Sequence, residues 1–163
     1  MRSAAIGLHA TAAVVALVLG VRLLLQASRR HLPTGFPSYY AGIVVMAAAL
    51  PVAVALDWAD LEVATRVAFA ALCVLAGTMV WEADRARRFL RRSSHGSMSS
   101  ARSGAFVEAV GFTVIALLDG FAVITALDLG APGWLVGVIG VLVVVVARPL
   151  VAATRTRAQS RAR

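Results

Sequence analysis

Asp119 lies inside the apolar run Ala116-Leu117-Leu118-Asp119-Gly120-Phe121. An acid in such surroundings marks a proton or ion path, or holds helices together through a partner in the bundle interior. Counting about 1.5 Å per residue puts it roughly 10–12 Å below the outer boundary of its helix. Glu108 is eleven residues earlier, and steps of about 100° leave the two acids about 20° apart on one helix face. Candidate partners at matching depths stand on the first apolar segment. His9 falls about 7–8 Å from the outer boundary, near the level of Asp119, and Arg22 about 4–5 Å from the inner one, near Glu108. The first and fourth segments run antiparallel, so one helix pair is expected to make both a His9–Asp119 and an Arg22–Glu108 contact. Arg66, about one turn into the third segment, competes with His9 for Asp119. Histidine facing aspartate inside a membrane could relay protons. The same pairs can hold helices together, and that structural role is the expectation. It applies most to Arg22 and Glu108, which are near enough to the boundary to snorkel.

Other chemistry finds little support. Haem b held between histidines on facing helices needs two such residues within spans. Only His9 qualifies, because His31 and His95 fall in loops. The Asp57-Trp58-Ala59-Asp60-Leu61-Glu62 run is too short for an EF-hand calcium loop and has no turn glycine. The single cysteine, Cys73, excludes an internal disulfide and a CxxC redox pair, and its apolar neighbours suggest an inert thiol. There is no nucleophile–base pair, phosphate loop, HExxH or metal-ligand cluster. No cofactor, no metal and no catalytic residue are expected, and an enzyme is the less favoured class.

The elements that must position these residues are set by composition. The chain has 163 residues, 60% of them hydrophobic and 15% charged, against roughly 45–50% and about 25% in an ordinary soluble domain. Its mean hydropathy is +0.84. A soluble enzyme, a disordered tail and a free nucleic-acid-binding domain are excluded. A bilayer core of about 30 Å needs about 20 apolar residues per helix. Five segments qualify or nearly so: Ala4 to Leu25, Tyr39 to Leu56, Val63 to Trp81, Ala105 to Leu127 and Trp134 to Ala153. Little period-2 alternation appears, which disfavours an outer-membrane barrel. The expected fold is an all-α integral membrane bundle of five transmembrane helices in a single membrane domain.

Arginine placement orients it, because Lys and Arg stay on the cytoplasmic side. Of 16 basic residues, all arginine, 14 fall on one side of this topology and leave Arg2 and Arg66 on the other. The N-terminus is therefore expected outside and the C-terminus in the cytoplasm. Tyr39, Tyr40 and Trp81 fall at inner boundaries and Trp58 and Trp134 at outer ones, as interfacial aromatic belts require. The first segment could be a cleaved signal peptide, but its apolar stretch is too long, and Arg29 and Arg30 follow it directly. The all-arginine, Ala/Val-rich composition resembles that of a GC-rich bacterium, which places the chain in the plasma (inner) membrane.

Glu82 to Arg92 is expected to continue the third helix into the cytoplasm, with Asp84 and Arg88 paired at i, i+4. Its Arg85, Arg87, Arg88, Arg91 and Arg92 suit anionic lipid headgroups on that side, at about 1 kcal/mol per basic residue. Nucleic acid is not an expected partner, since Phe89 is the segment's lone aromatic. Residues 93–104 are expected to form a flexible Ser/Gly-rich loop, and 154–163 a basic tail. Pro51 should kink the second helix. Gly133, Gly137 and Gly140 would let the fifth helix pack closely, within the chain or between chains. Two functional readings follow. In the first, the chain is a subunit, accessory factor or homo-oligomer acting through helix packing with another membrane protein or itself. The alternative is a small proton-coupled transporter or channel using Asp119 and His9, assembled from several copies.

Overall fold

A computed structural model of the chain describes residues 2–28, 34–60, 63–92 and 100–130, with isolated helical positions at Leu142, Val145, Pro149, Ala152 and Ala153. The described residues are all helix, turn and connection. Their long helices are α1 (Arg2–Ser28), α2 (Phe36–Asp57), α3 (Val63–Arg92) and α4 (Ser100–Asp128), with a short 3-10 turn at Trp58–Asp60. Three of them contain stretches long and apolar enough to cross a membrane: Ala4–Ala27, Phe36–Leu56 and Gly104–Ala126. Most of the expected fifth span, with Gly133, Gly137 and Gly140, lies outside the described residues. So do the linker at 93–99 and the tail at 154–163.

The way α1 packs is compatible with a lipid surround. Its buried side is Ala12, Ala13, Ala16 and Leu23, while Ile6, Leu8, Val14, Val15, Val18, Val21 and Leu25 are exposed. Gly20 is buried on the same side as the alanines. Small residues point inward and large apolar ones outward, the reverse of a water-soluble helix. Lipid accepts large apolar side chains, whereas small ones let two backbones close up. A Cβ built on Gly20 would come within 2.7 Å of Val114 Cγ2 and 3.2 Å of Tyr39 Cε2, so α1, α2 and α4 meet there. At Gly42, a Cβ would lie 3.3 Å from Ala16 Cβ and 3.4 Å from the Ala12 carbonyl oxygen, which marks the close α1–α2 approach. Threonines inside the spans satisfy their hydroxyls locally. Thr11 donates to the Gly7 carbonyl and Thr125 to that of Phe121, each at 2.8 Å.

The connection from α1 to α2 is pinned at both ends. Gln26 and Thr34 exchange two hydrogen bonds of 3.0 Å, from Gln26 Nε2 to Thr34 Oγ1 and from the Thr34 amide to Gln26 Oε1. Gly35 then takes a left-handed φ of 89° at the N-cap, with Pro37 in the first turn; both are favoured residues for those positions. Pro51 lies inside α2 without ending it.

α3 differs from the other three. Its first half is the apolar stretch expected as the third span, and the helix runs unbroken through the charged segment to Arg92. Arg88 pairs with Asp84 at 2.8 Å across one turn, as the spacing requires. Ala76, Met79, Ala83 and Ala86 are buried, while Ala70, Val74, Trp81, Arg85 and Arg88 are exposed. α4 begins at Ser100, inside the stretch expected to be a linker. Its early start lets Phe106, Val107 and Val110 join one core cluster with Ala83 and Ala86 of α3, Phe36, Tyr39 and Ile43 of α2, and Leu23 of α1.

Candidate functional site

The site is built on α4, which buries one face from Phe106 to Leu117 and, further along, Ala126 on the Asp119 side. Phe106, Val107, Val110, Thr113, Val114 and Leu117 are buried and cluster within about 60° of Val110 on the helix circumference. Asp119 and Glu108 lie about 160–180° from that direction. The stripe on which their spacing puts them lies on the side of α4 opposite Val110. Glu108 and Phe112 are exposed on it, and Asp119 is partly exposed. Asp119 Oδ1 is buried, with no hydrogen-bond partner among the described residues.

This orientation breaks both expected pairs. His9 faces inward on α1 and puts its Nδ1 2.9 Å from the Met46 carbonyl oxygen on α2. That carbonyl can only accept, so His9 Nδ1 carries the hydrogen. Among the described residues no hydrogen bond joins His9 to Asp119. Arg22 is exposed and lies about 200° round from Gly20, the side of α1 turned toward α4. No ion pair joins Arg22 to Glu108 among the described residues. Arg66 does not reach Asp119 either. It donates from Nη2 to the Ala59 carbonyl at 3.2 Å, and its guanidinium lies 5.7 Å from the Trp58 ring centroid. The depth matching treated helices as interchangeable rods, whereas the small inward face of α1 and the large apolar one of α4 fix their rotation.

The arginines of α3 are partly engaged within the chain. Arg85 reaches Glu82 at 3.4 Å and lies 5.9 Å from the Trp81 ring and 5.7 Å from that of Phe89. Arg87 sits 5.1 Å over the Tyr40 ring of α2. Arg91 is exposed, and the Arg92 side chain lies outside the described residues.

The sequence did not reveal a buried polar contact between α2 and α4. Tyr39, expected in the interfacial belt, is completely buried, as is Thr113 of α4. The two hydroxyls are hydrogen-bonded. Thr113 Oγ1 also donates to the Val110 carbonyl at 2.8 Å, so Tyr39 is the donor to Thr113. Burial of Tyr39 follows from Phe106, Val110 and Val114 closing over the start of α2. Gly20, which leaves room for the ring, was the one signal available. Trp58 and Trp81 are 45% and 58% exposed. Cys73 lines an open apolar groove of about 430 Å³ with Pro51, Val54, Ala55 and Trp58. Among the described residues no group of three or more His, Cys, Asp or Glu could hold a metal ion.

No family model, curated protein or solved structure matches the chain.

Proposed function

We propose that this chain is a small multi-pass subunit of a bacterial plasma membrane, N-terminus outside and C-terminus cytoplasmic, which acts by packing against another membrane chain or a second copy. The observation that supports this reading is Asp119. Scales of helix insertion put an aspartate at mid-bilayer about 2.5–3.5 kcal/mol uphill. The acid lies on the side of α4 opposite Val110, and His9 and Arg66 are bonded elsewhere. A donor supplied by a neighbouring chain at that depth would offset the cost. Between Trp134 and Ala153 the chain itself offers one further charge, Arg148.

The test is extraction of the full chain from its native membrane in mild detergent, with mass measurement and identification of companions. A stoichiometric complex or homo-oligomer is expected, and Asp119→Leu should insert normally but run at smaller mass. A lone wild-type monomer, or an Asp119→Leu variant that assembles unchanged, overturns the reading. If the companion is a different chain and Arg148→Leu alone reproduces the effect of Asp119→Leu, the donor is this chain's own and the intermolecular assignment falls. That Asp119 Oδ1 has no hydrogen-bond partner among the described residues also favours a second reading, in which Asp119 alone takes up and releases a proton during transport. A His9–Asp119 relay is not supported, because His9 is bonded to α2. Loss of proton uptake by Asp119→Asn in proteoliposomes, with assembly mass intact, would favour transport.

A further inference from the structure

We propose that the exposed stripe of α3 binds one anionic phospholipid, its phosphate between Arg85 and Arg88 and its acyl chain along Trp81, Thr78, Gly77 and Val74. The assignment rests on the membrane reading above, because it needs the apolar half of α3 to face lipid.

On the helix circumference these six residues fall within about 60° of Trp81, and all are exposed. Val74 is 69% exposed and Trp81 58%. The stripe is apolar from Val74, small at Gly77, aromatic at Trp81 and cationic from Arg85 onward, in the order of a lipid from chain to headgroup. Its length also matches. Fourteen residues separate Val74 from Arg88, which is about 21 Å of helix, against about 20–22 Å for one leaflet with its headgroups.

The arginines are prepared for a phosphate. Residues three apart on a helix are neighbours, so one phosphodiester can accept from both guanidinium groups, and such charge-assisted bonds are the strong ones. Arg85 is steadied by the Trp81 and Phe89 rings. Glu82 and Asp84 each hold one terminal nitrogen, at 3.4 Å from Arg85 and 2.8 Å from Arg88, and leave the other N–H groups of each fork to donate. The segment from Glu82 to Arg92 keeps a net positive charge, with five arginines against two acids. Arg87 is excluded from the site because it lies over Tyr40 on another side of the helix.

The test is native mass spectrometry of the full chain in mild detergent, offered palmitoyl-oleoyl phosphatidylglycerol and the phosphatidylcholine with the same chains. Wild type should retain the phosphatidylglycerol preferentially. Arg85→Gln should weaken that preference about fivefold, and the Arg85→Gln/Arg88→Gln double variant about thirtyfold. Arg87→Gln should leave it unchanged. Millimolar inorganic phosphate should fail to displace the lipid, and Trp81→Ala should weaken retention of both lipids. Equal retention of both lipids by wild type overturns the site, as does an effect of Arg87→Gln equal to that of Arg85→Gln, or displacement by inorganic phosphate. Retention of neither lipid instead overturns the membrane reading on which it rests.

Discussion

The Tyr39–Thr113 contact predicts an asymmetry between two substitutions of similar size. In Tyr39→Phe the hydroxyl is lost, but Thr113 still donates to Val110 at 2.8 Å, so no buried donor is stranded. The cost is one side-chain hydrogen bond within a membrane bundle, about 0.6 kcal/mol on average. Thr113→Val removes the acceptor instead and leaves the Tyr39 hydroxyl, at 0% exposure, with a hydrogen it cannot place. An unsatisfied buried donor costs about 1–3 kcal/mol. Little is added by the lost bond to Val110, whose carbonyl keeps its place in the α4 ladder. Thr113→Val should therefore destabilise by about 1–2 kcal/mol more than Tyr39→Phe. The Tyr39→Phe/Thr113→Val double variant should recover part of that loss, because it removes the stranded hydroxyl. Unfolding of the full chain in mixed micelles on titration with SDS, followed by circular dichroism, gives the three differences. If Thr113→Val costs no more than Tyr39→Phe, or if the double variant costs the sum of the two, the hydroxyl of Tyr39 is not held as described.

Two further substitutions check the packing. Gly20→Ala would place its Cβ 2.7 Å from Val114 Cγ2, and a valine on a helix has little rotameric freedom to give way. Overpacking of about 1–3 kcal/mol should outweigh the gain of about 1 kcal/mol in helix propensity. Gly7→Ala, which meets nothing within 4 Å, should be neutral or stabilising in the same micelle unfolding. Arg87→Ala should cost about 0.5–1 kcal/mol through its lost contact with Tyr40, and Tyr40→Leu should cost no more when Arg87 is already gone.

Much of the bundle was legible because composition alone demands it. α1, α2 and α4 contain the first, second and fourth apolar segments, each with a few residues added at its ends. The continuation of α3 to Arg92 followed from the Asp84–Arg88 spacing. Periodicity also put Asp119 and Glu108 on one face, since that is a property of a single helix. The direction of the face was not legible. In a water-soluble helix, hydrophobicity marks the buried side, but lipid is as apolar as leucine, and the inward sign passes to residue size. Ala12, Ala16 and Gly20 carried that sign. Depth matching of His9 and Arg22 ignored it, so it paired residues that face different ways. The burial of Tyr39 was not legible for a related reason: the belt rule locates a ring along the membrane normal and says nothing of whether another helix covers it. Ser100 to Gly104 looked like a linker on composition, yet Gly104 is buried and the turn carries the helix into the core.

The two outward faces have different requirements, and this decides where a neighbour should sit. The outer face of α1 presents Val14, Val18, Val21 and Leu25, which lipid satisfies without help. That of α4 presents Phe112 and Asp119, and Asp119, whose Oδ1 has no hydrogen-bond partner among the described residues, is satisfied by a donor from a protein neighbour or by staying protonated. A bulky residue should therefore be tolerated on α1 and not on α4. Val18→Trp only enlarges a side chain already 61% exposed and should leave the assembled mass unchanged. Ala122→Trp adds a ring three residues from Asp119, on a position only partly exposed, and should separate any helix seated there. Both variants should insert and keep the α1–α2–α4 junction, because neither points at Gly20. Loss of assembly in Val18→Trp with none in Ala122→Trp would move the docking face to α1 and leave Asp119 facing lipid, which its charge makes expensive.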